Sequence, residues 1–164
     1  MSAPRLVLVN GMPGSGKSTL AERYRTDHHG VLVVEADALR HWIGGDPAEH
    51  AEAARHLSLA LAQAHLEAGY DVVVPQLVAR VDQLERFEQV ADDAGAELVH
   101  VVLHGGVVES RVPEDAVEHL VDYAHGLADV LERRPDVHRV VTRHDDPDAA
   151  YRDLVDLLEP DVVA

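Results

Sequence analysis

The chain has 164 residues, 46% apolar but only 4% aromatic, so one domain with a core of valine, leucine and alanine is expected. Asp and Glu number 30 against 14 Lys and Arg, a formal net charge of −16 that opposes tight electrostatic binding of a nucleic-acid backbone. Cysteine is absent, which excludes a disulfide scaffold, a zinc–thiolate site and a cysteine nucleophile. No run approaches the ~18–20 apolar residues of a membrane span. The first apolar run, Leu6 to Val9, is far too short for a signal peptide, so a cytoplasmic chain is the expectation.

Short apolar runs alternate with helical patterns, the arrangement of βαβ units and a parallel sheet. Arg5 to Asn10 reads as a buried strand, followed by a glycine-rich turn and a helix from about Lys17 to His28. Val31 to Glu35 is a second strand, and a short helix starts near Asp37 and stops at Gly44-Gly45. Asp46-Pro47-Ala48-Glu49 is a helix start, with Asp as cap and Pro in the first position. The stripe Leu57, Leu61, Ala64, Ala68 marks the expected buried face of that helix, and Gly69 ends it. Asp71 to Pro75 is a third strand and Val81 to Ala94 a helix. Leu98 to Leu103 is a fourth strand, and Pro113 to Arg133 a long helix with Val117, Leu120, Val121, Leu127, Val130 and Leu131 as its apolar positions. Val137 to Thr142 is a fifth strand and Pro147 to Leu158 the last helix, with Asp146 as its cap. Strand runs that are apolar throughout belong to a sheet covered on both faces, so the fold class is α/β, a three-layer αβα sandwich. One domain over residues 1–164 is expected.

The first strand runs into Gly11-Met12-Pro13-Gly14-Ser15-Gly16-Lys17-Ser18-Thr19, which matches G-x-x-x-x-G-K-[ST] with a strand before and a helix after. The glycines let successive N–H groups turn inward onto phosphate oxygens, and the helix adds its positive end. Lys17 supplies an ammonium for the β- and γ-phosphates, and Ser18 a hydroxyl for Mg²⁺. Lys17 is the only lysine among the 14 basic residues; a planar guanidinium does not replace a compact point charge there.

With this loop, and with an apolar strand ending in an acidic cluster after the next helix, the chain resembles the small P-loop kinases. These include gluconate kinase, chloramphenicol phosphotransferase, zeta-toxin-type kinases and polynucleotide 5′-kinases. The resemblance implies a five-stranded parallel sheet of order 2-3-1-4-5 and an ATP- and Mg²⁺-dependent transfer of the γ-phosphoryl group to a hydroxyl. It places Asp37, in Glu35-Ala36-Asp37-Ala38-Leu39-Arg40, opposite the acceptor as base and orienter. The other reading of Asp37 is a helix cap. Asp37 or Glu35 completes the Mg²⁺ site in this reading, because the third strand ends Val74-Pro75-Gln76 without an acid.

Arg40 is available to pair with Asp37 or with an anionic substrate, and Gln76 and His104, at strand ends, to touch the acceptor. Trp42 reads first as a core plug and second as a ring that stacks on substrate. A shortened lid at about 105–113 contains one arginine, Arg111, a candidate for stabilising the transferred charge, and a partner subunit is a second source of a lid. Arg133 and Arg134 are alternatives. The resemblance places adenine near Arg143, in the loop Thr142-Arg143-His144-Asp145-Asp146.

The twelve histidines lack metal-ligand spacing. The acidity favours a neutral or cationic small acceptor, such as a sugar, a nucleoside or an aminated antibiotic, over a nucleic acid. No guanine-recognition Asn-Lys-x-Asp is present. A nucleotide-binding switch with weak catalysis and a polynucleotide 5′-hydroxyl kinase are the two other functions open at this point.

Overall fold

A computed structural model describes residues 2–105 and 111–160. In chain order the elements are β1 (Arg5–Asn10), α1 (Lys17–Asp27), β2 (Leu32–Val33), α2 (Ala36–Arg40), a 3₁₀ turn (Pro47–His50), α3 (Ala51–Glu67), β3 (Val72–Pro75), α4 (Val81–Asp93), β4 (Glu97–Gly105), a second 3₁₀ turn (Glu114–His119), α5 (Leu120–Arg133), β5 (His138–Thr142) and α6 (Pro147–Leu158). The strands form one parallel sheet in the order β2-β3-β1-β4-β5. That is the fold class and strand order expected from the sequence. Among the described residues no helix is long and apolar enough to cross a membrane.

β1 is the centre of the sheet, and alternation along it builds both cores. Leu6 and Leu8 face one side, where they meet Ala54, Ala62 and Leu66 of α3, Leu84 and Phe87 of α4, and Val130 of α5. Val7 and Val9 face the other, against Leu20, Ala21 and Tyr24 of α1 and Tyr151 and Leu154 of α6. All four β1 side chains are fully buried, and each contributes roughly 1.5–3 kcal/mol of transfer free energy.

Three elements depart from the sequence reading. β2 is only Leu32–Val33: the Val34 N–H still donates to the Val73 carbonyl at 3.0 Å, but Glu35 is already the cap residue of α2. α3 presents Ala54, Ser58, Ala62 and Leu66 to the core, while Leu57 and Leu61 stay exposed. Alanine occurs on both faces of that helix, so apolar spacing alone does not select the inner one; the small residues at 54, 58 and 62 let the helix lie close on β1 and β3. The long helix expected from Pro113 winds as a 3₁₀ turn first, and of its apolar positions Leu127 and Val130 are buried while Val117 and Val121 are exposed.

At the edge where the strands begin, the Arg5 backbone N–H donates to Asp71 Oδ1 at 2.7 Å, and its guanidinium reaches Asp71 Oδ2 at 2.6 and 3.0 Å. The same guanidinium donates to the Leu158 carbonyl at the end of α6. β1, β3 and α6 are thereby tied together by a partly buried charge pair. Charge-assisted bonds in such a site are stronger than neutral ones. Asp71→Asn is expected to lower unfolding free energy by about 1–3 kcal/mol, measured by urea denaturation.

Candidate active site

In a parallel sheet all strands end at one edge, and ligands bind there. The loop between β1 and α1 sits at the middle of that edge. Gly14 has φ 80° and Gly16 has φ 94°, left-handed backbone in which an L side chain is strained. Gly16 is also the residue that opens α1, without any side-chain cap, which leaves the first helical N–H groups without a side-chain partner from the cap. The Ser15 N–H closes the turn onto the Met12 carbonyl at 3.1 Å. Lys17 bends back over this ring, and its Nζ donates to the same carbonyl at 2.9 Å. Burial of the ammonium pulls the Lys17 pKa down to about 8, and the Asp37 carboxylate acts in the opposite direction. Ser18 and Thr19 are exposed in the first turn of α1.

The β2–β3 side of the loop carries most of the predicted acceptor residues. Asp37 is 86% exposed, and its Oδ1 lies 3.2 Å from a guanidinium nitrogen of Arg40. α2 starts after Glu35 and has no side-chain cap bond, so the cap reading of Asp37 is overturned: the carboxylate is within the helix and turned outward. Arg40 Nε is buried without a hydrogen-bond partner. Trp42 is 78% exposed, so it is no core plug. Gln76 follows β3, its backbone N–H bonded to the Val9 carbonyl, and its Oε1 is buried without a partner. It lines a crevice with Arg55, Ser58, Gln83, Arg86 and Phe87. Glu52 accepts from Arg86 at 2.9 Å and from Arg55 at 3.3 Å at its rim. Two arginines line this crevice although the chain as a whole is acidic.

The β4–β5 side is different. The His104 ring is engaged by Arg139 at 2.7 Å, and burial followed by this guanidinium lowers its pKa. His104 thus stands across the loop from Asp37 and Gln76, and the structure does not bring it to them. Arg143 is exposed between β5 and α6, and Asp146 caps α6 through the Ala149 N–H at 3.1 Å. Residues 106–110, most of the predicted lid, lie outside the described residues; Arg111 is exposed. Arg134 binds Glu88 at 2.8 Å and Arg133 binds Asp129 at 3.3 Å. Arg133 ends α5 and Arg134 follows it, just before β5 at the edge opposite the glycine loop, which removes them as lid arginines.

Sequence reasoning missed Arg55, Arg86 and Glu52, and it missed Asn10 and His100, which are fully or nearly fully buried beneath the loop. A polar residue closing an otherwise apolar strand was the available signal for Asn10.

The pattern of the AAA domain family matches residues 6–117, more than half of the chain and all of the elements from β1 through β4. The chain belongs to the AAA domain family. Its strand order and layering are those of the P-loop kinase fold. No curated protein matches its sequence. Among solved structures it is similar to the APS kinase CysC of Mycobacterium tuberculosis in complex with AMPPNP and APS, with TM-score 0.61 at 21% identity over 97% of this chain and 99% of that one. The tunicamycin resistance protein of Deinococcus radiodurans gives TM-score 0.62 at 21% identity, covering 94% and 95%. A chain of the Pnkp1/Rnl/Hen1 RNA repair complex gives 0.61 at 21% identity, covering 81% of this chain and 47% of that one. At these identities the likeness is one of fold.

Because Lys17 is the sole lysine, lysine-selective ¹³C labelling reports its ammonium as a single side-chain signal. In the free AAA domain the signal is expected to titrate near pH 8, and nucleotide phosphates, by favouring the charged form, are expected to move the midpoint upward. Nucleotide affinity should then fall as pH rises through about 8, with proton uptake on binding above it. An unshifted lysine midpoint contradicts the burial.

Proposed function

We propose that this AAA domain transfers the γ-phosphoryl group of ATP to a hydroxyl of a small molecule. The observation that carries the reading is the glycine loop with Lys17 folded over it, together with an exposed carboxylate, Asp37, whose charge acts on that ammonium. The loop N–H groups and Lys17 hold the phosphate tail. Asp37 accepts the proton of the acceptor hydroxyl as its oxygen bonds to the γ-phosphorus and the bond to the β-phosphate oxygen breaks, leaving ADP. Arg40, 3.2 Å from its Oδ1, orients Asp37, and Arg111 and Arg143 are the arginines available to the transferred phosphoryl group and to the base.

The oxygen-only set of Ser18 hydroxyl and Asp37 carboxylate, both exposed at the same edge, suits a hard divalent cation. Ser18 and Asp37 would hold Mg²⁺, which supplies neutralisation of phosphate charge when bound. On the acceptor side, the unpartnered Gln76 Oε1 suits a donor group of the acceptor. Arg40, Arg55 and Arg86 favour an acceptor with an anionic or strongly accepting substituent over a cationic one. Local charge therefore replaces the mean charge of the chain as the guide to substrate. Trp42, two residues past Arg40, offers an exposed ring for stacking.

ATP consumption against a panel of sugars, nucleosides, aminated antibiotics, nucleotide-like anions and oligonucleotides identifies the acceptor. With that acceptor, Asp37→Asn is expected to lower turnover by ~10²–10⁴-fold, the range for a lost general base, while ATP affinity by calorimetry stays within about threefold. Unchanged turnover overturns the role of Asp37. Nucleotide binding with no transfer to any acceptor class supports the switch instead.

A further inference from the structure

Beneath the glycine loop lies a polar knot that the proposed chemistry leaves unused. Asn10, the last residue of β1, is fully buried. Its Oδ1 accepts from the Gly11 N–H at 2.8 Å and from the Val78 N–H at 2.8 Å. Two N–H donors on one atom identify that atom as the oxygen, so the other is the amide nitrogen. Nδ2 donates to the Val78 carbonyl at 3.0 Å and lies 3.1 Å from His100 Nε2. A nitrogen that must donate requires an acceptor, so His100 carries its proton on Nδ1 and leaves Nε2 bare. Burial pushes the His100 pKa down to about 4, which keeps the ring neutral and in that role. All four hydrogen-bonding capacities of the amide are filled.

The topology explains what the knot accomplishes. The β1–β3 ladder stops at Val9 and Pro75, and the Gln76 N–H takes one last bond to Val9. Beyond that point the chain diverges, one branch to the glycine loop and the other to Gln76, Leu77 and Val78. The Asn10 side chain stands in for a backbone peptide there and binds both the N–H and the carbonyl of Val78. Val78 is held from its far side as well, since Gly126 of α5 sits so close to the neighbouring Ala79 that a Cβ there would come within 2.4 Å of its carbonyl oxygen. The phosphate loop and the segment bearing Gln76 are therefore fastened to each other by one side chain.

We propose that Asn10 is a positioning residue: with His100 as its obligate acceptor, it sets the spacing between the loop that grips the phosphates and the segment that carries Gln76 on the acceptor side. This rests on the phosphotransfer reading for its consequence, though not for its geometry. In-line transfer is sensitive to such spacing, since a displacement of ~1 Å can cost on the order of 10²-fold in rate. Asn10 touches neither nucleotide nor acceptor in this account and acts only through Gly11 and Gln76–Val78.

The test uses the full chain. ¹H–¹⁵N spectra of the histidine rings are expected to show His100 Nε2 without a proton and Nδ1 with one from pH 5 to 8; a proton on Nε2 overturns the proposal. His100→Leu leaves the Asn10 N–H unpaired, and the Gly11 and Val78 amides are expected to exchange at least ~10-fold faster while Val7, deep in β1, keeps its rate. His100→Gln, whose amide oxygen can accept from Nδ2, is expected to restore them. With the acceptor found above, His100→Leu should lower kcat at least ~10-fold, with ATP affinity held within about threefold. Gly11 and Val78 amides that do not change, or that accelerate only together with Val7, overturn the proposal. If the unaltered chain binds no ATP, the phosphotransfer reading fails, and the ring spectra and amide exchange still decide whether the clamp exists.

Discussion

A lone ammonium held partly out of water, folded over a ring of backbone that two left-handed glycines make possible, is the interaction on which the rest of the molecule turns. Placing a charge there is unfavourable in isolation, and the depressed Lys17 pKa expresses that cost. A polyanion removes it. The loop N–H groups, the start of α1 and the ammonium converge on one spot at the centre of the sheet edge, and they do so because β1, the central strand, ends there.

Strand order then divides the site. β2 and β3 bring Asp37, Arg40 and Gln76 to one flank of the loop, and β4 and β5 bring His104, Arg139 and Arg143 to the other. The flank with Asp37 holds the crevice in which Arg55 and Arg86 share Glu52. A chain of net charge −16 thus keeps arginines at the place where a second substrate would sit. The acidity of the whole chain and the arginines of this crevice are separate properties, set by different residues.

What could be read from the sequence follows the range of the forces involved. The loop, its flanking strand and helix and the αβα layering come from local chemistry and from apolar runs several residues long, and they are legible. So is the cap of α6 at Asp146, which depends on residues three apart. The inner face of α3 is not legible, because alanine on both faces leaves burial to the shape of the sheet beneath. Trp42 is a similar case: its size suggests a core, and its position after α2 leaves it in solvent. Asn10 with Val78 and His100, and Glu52 with Arg86, join residues 68, 90 and 34 positions apart, so only the folded chain reveals them.

The central claim is that Lys17 and its loop bind the phosphates of a nucleotide. Calorimetric titration of the full chain with ATP and magnesium, beside Lys17→Ala and Lys17→Arg, tests it most directly. The unaltered chain is expected to bind, Lys17→Ala to lose at least about tenfold in affinity, as for a lost charge-assisted bond, and Lys17→Arg not to recover it. Equal affinity for ATP in the presence and absence of the ammonium would contradict the account.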